Sequence, residues 1–219
     1  MSAKLWAEIG LGIYETFYMT LASTLLGYVI GLPLGVILII TRRDGIQQNL
    51  AVNQVLGVIV NIMRSIPFLI LMIAIIPFTR FVMGKSYGST ATIVPLTMAA
   101  FPFISRMVES SLAEVDGGVI EAAQAMGATP MQIIRKVYIP EATPSLISGA
   151  AIVATNILGY SAMAGSVGGG GLGAIAINYG YYRFNAEVMV VCIAIMVVLV
   201  QAMQLVGTRL SVQLDHRLR

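Results

Sequence analysis

Residues 121–140 read EAAQAMGATPMQIIRKVYIP, a moderately polar segment in the middle of an otherwise very apolar chain. Val119, Ala122, Ala123 and Met126 recur at i, i+3, i+4 and i+7, which predicts a narrow stripe of small apolar side chains along one face of a short helix. Gly127 follows the last periodic residue, and glycine closes a helix in the left-handed conformation without a Cβ penalty. A second helix is predicted to start at once. Thr129 caps it, Pro130 suits its first position because no amide hydrogen is needed there, and Gln132 completes a T-x-x-Q capping box. The expectation is helix, glycine corner, helix, with Arg135 and Lys136 leading to Pro140. A stripe of alanines lets a partner come almost to the backbone, where a larger side chain would overpack by roughly 1–3 kcal/mol. Such a corner is shaped to seat in a socket; the plainer reading is an ordinary amphipathic surface helix.

The rest of the composition says where this corner is carried. Of 219 residues, 58% are hydrophobic and only 11% charged, with a mean hydropathy of +0.87, which is the composition of an integral membrane protein. The formal charge of +3 does not point to nucleic acid, because the basic residues are scattered between apolar runs and form no patch. Cys192 is the only cysteine, so neither an intrachain disulfide nor a cysteine metal cluster can form. The first apolar run is too long for a signal-peptide core and has no clear small-residue cleavage site, so the N-terminal span is expected to be retained.

A helix crossing lipid needs about 20 predominantly apolar residues. Five such spans are predicted, at about 13–40, 52–78, 90–108, 141–162 and 186–206, in a single all-α transmembrane domain covering residues 1–219, with the loop 109–140 between the third and fourth. In the first, Gly27, Gly31 and Gly35 form consecutive G-x-x-x-G steps that allow close helix approach, and Pro33 is a candidate kink. In the second, Arg64 is anomalous: a cation near the midplane costs about 2.5–3.5 kcal/mol, so it faces protein or water, as an anchor at the cytoplasmic side or as a substrate contact. Pro95 and Pro102 predict a bent third span. In the fourth, which Pro140 and Glu141 are expected to open, Asn156 either ties helices together or touches substrate. The glycine-rich run from Gly165 to Gly173 reads as a loop, followed by Tyr179, Tyr181 and Tyr182 at a membrane boundary, and Asn185 as the cap of the fifth span.

Five spans put the termini on opposite sides. One set of loops holds Arg42, Arg43, Arg106, Arg135, Lys136, Arg209, Arg217 and Arg219, the other Lys4, Arg80, Lys85 and Arg183. Eight against four predicts a cytoplasmic C-terminus, a cytoplasmic corner at Glu121 and an external N-terminus.

The chain is not expected to be an enzyme. The phosphate-cradling pattern G-x-x-x-x-G-K-[ST] is missing, since the run 168–173 continues into Ala174-Ile175-Ala176 without a lysine. Gly159-Tyr160-Ser161 opens a G-x-S-x-G hydrolase pattern that Met163 breaks, and the single histidine, His216, lies in the charged tail. No residue is assigned as catalytic, no metal site is expected, and no cofactor is expected on this chain. A membrane bundle with no motor must be driven through a contact that transmits motion. At about 1.5 Å per residue, Met163 lies ~33 Å beyond Glu141 and so near the outer face. Tyr160, Ser161, Met163 and Asn156 are therefore the candidate gate and pathway residues, with ordinary packing as the alternative for Met163.

The corner resembles the cytoplasmic coupling loop of bacterial ABC importer permeases, E-A-A-x3-G-x9-I-x-L-P. Glu121, Ala122, Ala123, Gly127 and Pro140 match it, with Val137 and Ile139 in place of its Ile and Leu. RSIPF at Arg64, IPFTR at Ile76, RMVE at Arg106 and GYSAMAGSVGGGGLG extend the likeness over nearly the whole chain, which is similar to permease subunits of methionine importers. The resemblance implies a type I ABC importer permease fold in a bacterial inner membrane, acting as a homodimer. It implies two ATP-binding subunits, which use ATP and magnesium, and a periplasmic or lipid-anchored substrate-binding protein. It implies ATPase coupling through Glu121, Ala122, Ala123, Met126 and Gly127, with receptor docking tentatively at Tyr179, Tyr181 and Tyr182. A permease for another amino acid or small peptide, and a membrane anchor recruiting an ATPase to another task, are the alternative readings.

Overall fold

The computed structural model describes residues 3–214 of the chain, so His216, Arg217 and Arg219 lie outside the described residues. The described chain is helical. Helix α1 (Ala3–Thr41) runs unbroken through Pro33 and packs along α5 (Ser89–Ala113), which likewise continues through Pro95 and Pro102. The glycine steps explain the close approach. A Cβ at Gly31 would stand 2.7 Å from Ile104 Cγ2 and 2.8 Å from the Phe101 carbonyl oxygen, and one at Gly35 would stand 2.6 Å from the Ser105 carbonyl oxygen. Lipid supplies no hydrophobic drive between helices, so this backbone-to-backbone fit is what holds the pair. It also holds both helices in register past their prolines.

The second span departs from the expectation of one helix over 52–78. Helix α2 (Leu50–Ser65) ends at Ile66, α3 (Phe68–Ala74) leaves at 99° to it, and α4 (Ile76–Met83) completes the segment. The cause is Pro67. A proline pushes the residue before it out of the helical region, and Ile66 accordingly has ψ 121°. Four helices are long and apolar enough to cross a membrane, and the bent α2–α3 pair makes a fifth crossing if counted as one span.

Beyond α5, the chain forms α6 (Gly117–Ala125) and α7 (Pro130–Ile133), then a π-helical turn (Ile134–Tyr138) that feeds into α8 (Ile139–Ala164). Pro140 was expected to open the fourth span. It stands there, in the first turn of α8 with Glu141 beside it, while the helical run also continues back over the wider π turn to Pro130, the Ile139 amide donating to the Ile134 carbonyl five residues back. After the glycine loop come α9 (Gly171–Ile175), a second π turn (Ala176–Tyr181) and α10 (Ala186–Leu214).

Two clusters form the interior. The larger joins α1, α5 and α8 around Met19, Leu96, Ile104, Val108 and Ile157, and reaches down to Ala123, Ile133 and Tyr138 at the corner. The smaller packs Ile9, Leu172, Val188 and Cys192 between the start of α1, α9 and α10. Helix α10 buries little beyond Val188, Cys192 and Gly207, leaving Val190, Val198, Leu205 and Val206 outward as a surface for lipid.

Candidate functional site

The corner is built by local backbone chemistry. The Asp116 carboxylate accepts from the Gly118 amide at 2.7 Å and starts α6, and Gly127, at φ +78°, makes the turn. The Thr129 hydroxyl accepts from the Gln132 amide at 3.4 Å, while the Gln132 side chain accepts from the Thr129 amide at 2.8 Å. This is the predicted reciprocal cap. The apolar stripe, however, is divided. Glu121, Ala122, Met126 and Gly127 are exposed, with Met126 82% exposed, and Val119 stands out beside them. Ala123 is buried, packed into the cluster with Ile133, Ile134 and Tyr138. One alanine of the pair thus seats the helix on its own chain and the other faces outward.

Two connections lead from the corner into the bundle. One is the uninterrupted run from Pro130 through the π turn into α8. The other starts from α5. Arg106 reaches from α5 to α2, where Nη2 donates to the Gly57 carbonyl at 3.0 Å and Nε to Asn61 Oδ1 at 3.2 Å, while Nη1 pairs with Glu109 at 2.6 Å. Helix α2 is also tied to α1, with Asn53 Nδ2 donating to the Leu38 carbonyl at 2.7 Å. The far end of α2 is therefore positioned by the same helix that precedes the corner.

At that far end sits Arg64, in the last turn of α2. It lies 14 residues beyond Leu50, ~21 Å at helical rise, and hence at the opposite end of α2 from the loop that carries Arg42 and Arg43. Its guanidinium lies 5.6 Å from the centroid of the Phe103 ring. Such a contact stabilises by about 0.5–2 kcal/mol, which offsets only part of the ~2.5–3.5 kcal/mol cost of a cation at mid-depth. Arg64 lines a cavity of about 230 Å³ with Met63, Ile66, Phe68, Ala99, Phe103 and Tyr160. Tyr160 stacks on Phe68, with centroids 4.8 Å apart and the rings 6° from parallel.

The other candidate gate residues separate along α8. Ser148, Ile152, Asn156, Gly159 and Met163 form one exposed stripe at helical spacing. Asn156 and Met163 belong to it. Ser161 does not: it is buried, and its hydroxyl donates to the Leu158 carbonyl at 2.7 Å, which places it in the packing of the bundle.

Residues 16–219 match the model of the family described as binding-protein-dependent transport system inner membrane component. The chain belongs to this family. The permease is 50% identical to the probable D-methionine transport system permease protein MetI of Vibrio cholerae, over 93% of this chain and 91% of that one. It is 46% identical to the corresponding protein of Pasteurella multocida, over 99% of this chain and all of that one. A chain of the MetNI methionine ABC transporter, solved in inward-facing conformations, superposes with a TM-score of 0.97 at 49% identity, covering 99% of this chain and all of that chain. A chain of an amino acid ABC transporter solved with histidines, 19% identical, superposes with a TM-score of 0.79 and shares the fold. The chain is thus an inner-membrane, multi-pass component of the type I ABC importer permease fold.

At the opposite end of the permease from the corner, Tyr179 lines a wide, shallow cavity with Lys4, Glu8, Arg183 and Glu187. The hydrogen bond between its phenol and Glu8 raises the Tyr179 pKa above the usual tyrosine range, with desolvation and the Glu8 charge acting in the same direction and Arg183, whose guanidinium is 4.4 Å from the ring centroid, opposing. Tyr181 and Tyr182 are exposed, tilted against each other at 5.3 Å. Phe184 joins them at 90% exposure and φ +55°, a conformation uncommon outside glycine. The sequence reading passed over Phe184, whose only signal was its place in an aromatic tract. It also passed over Glu15. That carboxylate accepts from the Gly171 amide at 2.7 Å and from Ser89 Oγ at 3.3 Å, and next to it Thr16 Oγ1 accepts from the Leu172 amide at 2.9 Å. Together they fasten the glycine loop to α1. The signal was present: an acid inside an apolar run needs a partner.

Proposed function

We propose that this permease forms the translocation pathway of an ATP-driven methionine importer. Two copies of the chain enclose the pathway at a two-fold axis, each bringing the α8 stripe of Asn156 and Met163 to the centre, with Met163 closing the outer gate against its mate and Tyr160 behind it. Two separate ATPase subunits bind ATP and magnesium and take Glu121, Ala122, Met126 and Gly127 into a cleft, while Ala123 holds the corner to the bundle. The N-terminus lies outside and the C-terminus in the cytoplasm, in keeping with the eight-to-four distribution of basic residues. A substrate-binding protein docks at the outer face over Tyr179, Tyr181 and Tyr182. The observation that carries this reading is the exposed corner, continued without a break from Pro130 into α8. A corner so connected cannot move without moving the spans. ATP binding shifts the inward-open to outward-open equilibrium by the difference between its binding energies in the two states.

The test is reconstitution of the permease with its ATPase and binding protein in proteoliposomes. Methionine-loaded binding protein is expected to stimulate ATP hydrolysis and to drive uptake of labelled methionine. Hydrolysis that ignores the loaded binding protein, with no uptake, would contradict the importer reading.

A further inference from the structure

The break between α2 and α3 does more than bend a span. Phe103, opposite it, lies ~21 Å from the Ser89 end of α5 and ~15 Å from the Ala113 end at helical rise, so the cavity sits at mid-depth of the bundle. Irregular backbone at that depth is tolerated where it is buried in protein or lines a polar or water-filled cavity, and interrupted helices border the substrate sites of many secondary transporters. We propose that this cavity is a subsite for the transported amino acid within the membrane: Arg64 receives its carboxylate, and Phe103 with the stacked Phe68–Tyr160 pair receives its apolar side chain. The proposal rests on the importer reading above.

Three observations converge on a ligand of that class. Among the described residues, ion pairs join Arg42 to Asp44 and Arg106 to Glu109, whereas the contact of Arg64 is with an aromatic ring and leaves the guanidinium donors to a carboxylate. The remaining wall, Met63, Phe68, Leu71, Ala99 and Phe103, is apolar, and sulfur and methylene groups pack well against ring edges and faces. At about 230 Å³ the cavity is on the scale of one small molecule, a little below the ~300–1,000 Å³ of pockets for drug-sized ligands.

The experiment is direct binding to the assembled transporter, permease with ATPase subunits in nanodiscs and no binding protein present. Labelled L-methionine is the probe, with methioninol, which lacks the carboxylate, and norleucine, which lacks the sulfur, as competitors. Wild type is expected to bind methionine, to accept norleucine within a few-fold, and to discriminate against methioninol at least ten-fold. Arg64→Gln is expected to weaken methionine at least ten-fold and to lose that discrimination, which a merely structural arginine would not control; Arg64→Lys, which keeps the charge, is expected to keep part of it. Phe103→Leu should weaken methionine and norleucine alike. Wild type that binds no methionine, or Arg64→Gln and Arg64→Lys that both bind and discriminate as wild type does, overturns the subsite. Uptake driven by the binding protein, measured in parallel on wild type, separates the two failures: uptake without this binding overturns the subsite alone, and no uptake overturns the importer reading with it.

Discussion

Single side chains in this permease divide between those that hold the frame and those that face outward for use. Glu15 is of the first kind: its charge-assisted hydrogen bond to the Gly171 amide, with Thr16 on Leu172, clips the glycine loop to α1. Hydrogen bonds to charged groups stabilise by about 1.5–3 kcal/mol, so Glu15→Ala should lower the thermal midpoint of the purified permease by roughly 3–12 °C. An unchanged midpoint in a fluorescence melting assay would show the clip to be idle. Glu15 was not legible as a clip because its partner lies 156 residues away in sequence, and no local pattern encodes such a contact. Met163 is of the second kind, half exposed on the α8 stripe. Met163→Ala should raise basal ATP hydrolysis or substrate leak several-fold in the assembled transporter, and wild-type levels of both would assign Met163 to packing. Ser161 shows the converse limit. Its neighbours in sequence suggested the gate, but the helix turns it inward to Leu158.

At the scale of elements, what was readable is what local chemistry decides. The cap at Asp116 aside, the corner follows from the Gly127 turn, Thr129, Pro130 and Gln132, all within six residues of one another, and the structure reproduces that order. Prolines were less readable. Pro33 and Pro102 lie where α1 and α5 are pressed together at glycines, Pro95 lies buried nearer the start of α5, and both helices stay whole. Pro67 has no such clamp and breaks its span, while Pro140 stands in the first turn of α8, just after a π turn. The same residue type has three outcomes, set by neighbours that a linear reading does not see. The π turn makes α7 and α8 one lever. Inserting two glycines after Tyr138 should therefore leave the ATPase subunits bound but abolish stimulation of hydrolysis by loaded binding protein. Stimulation that survives the insertion would place transmission elsewhere, with the Arg106 bridge between α5 and α2 the first candidate.

As a whole molecule, the permease is a bundle of helices with an exposed corner at one end and an exposed aromatic tract at the other. Composition settled the membrane, and the spacing from Glu121 to Pro140 pointed to the corner. The outward stripe of α8 and the cavity at the broken span emerged only when four helices were assembled. The central claim is that force enters at the exposed half of the α6 stripe. It is tested most directly by Ala122→Glu, which places a charge on the outward face without touching the buried Ala123. The measurement is copurification of the ATPase subunits with membrane-inserted permease, alongside methionine uptake. Loss of both with normal insertion is the predicted result; ATPase recovered at the wild-type ratio with normal uptake would contradict it.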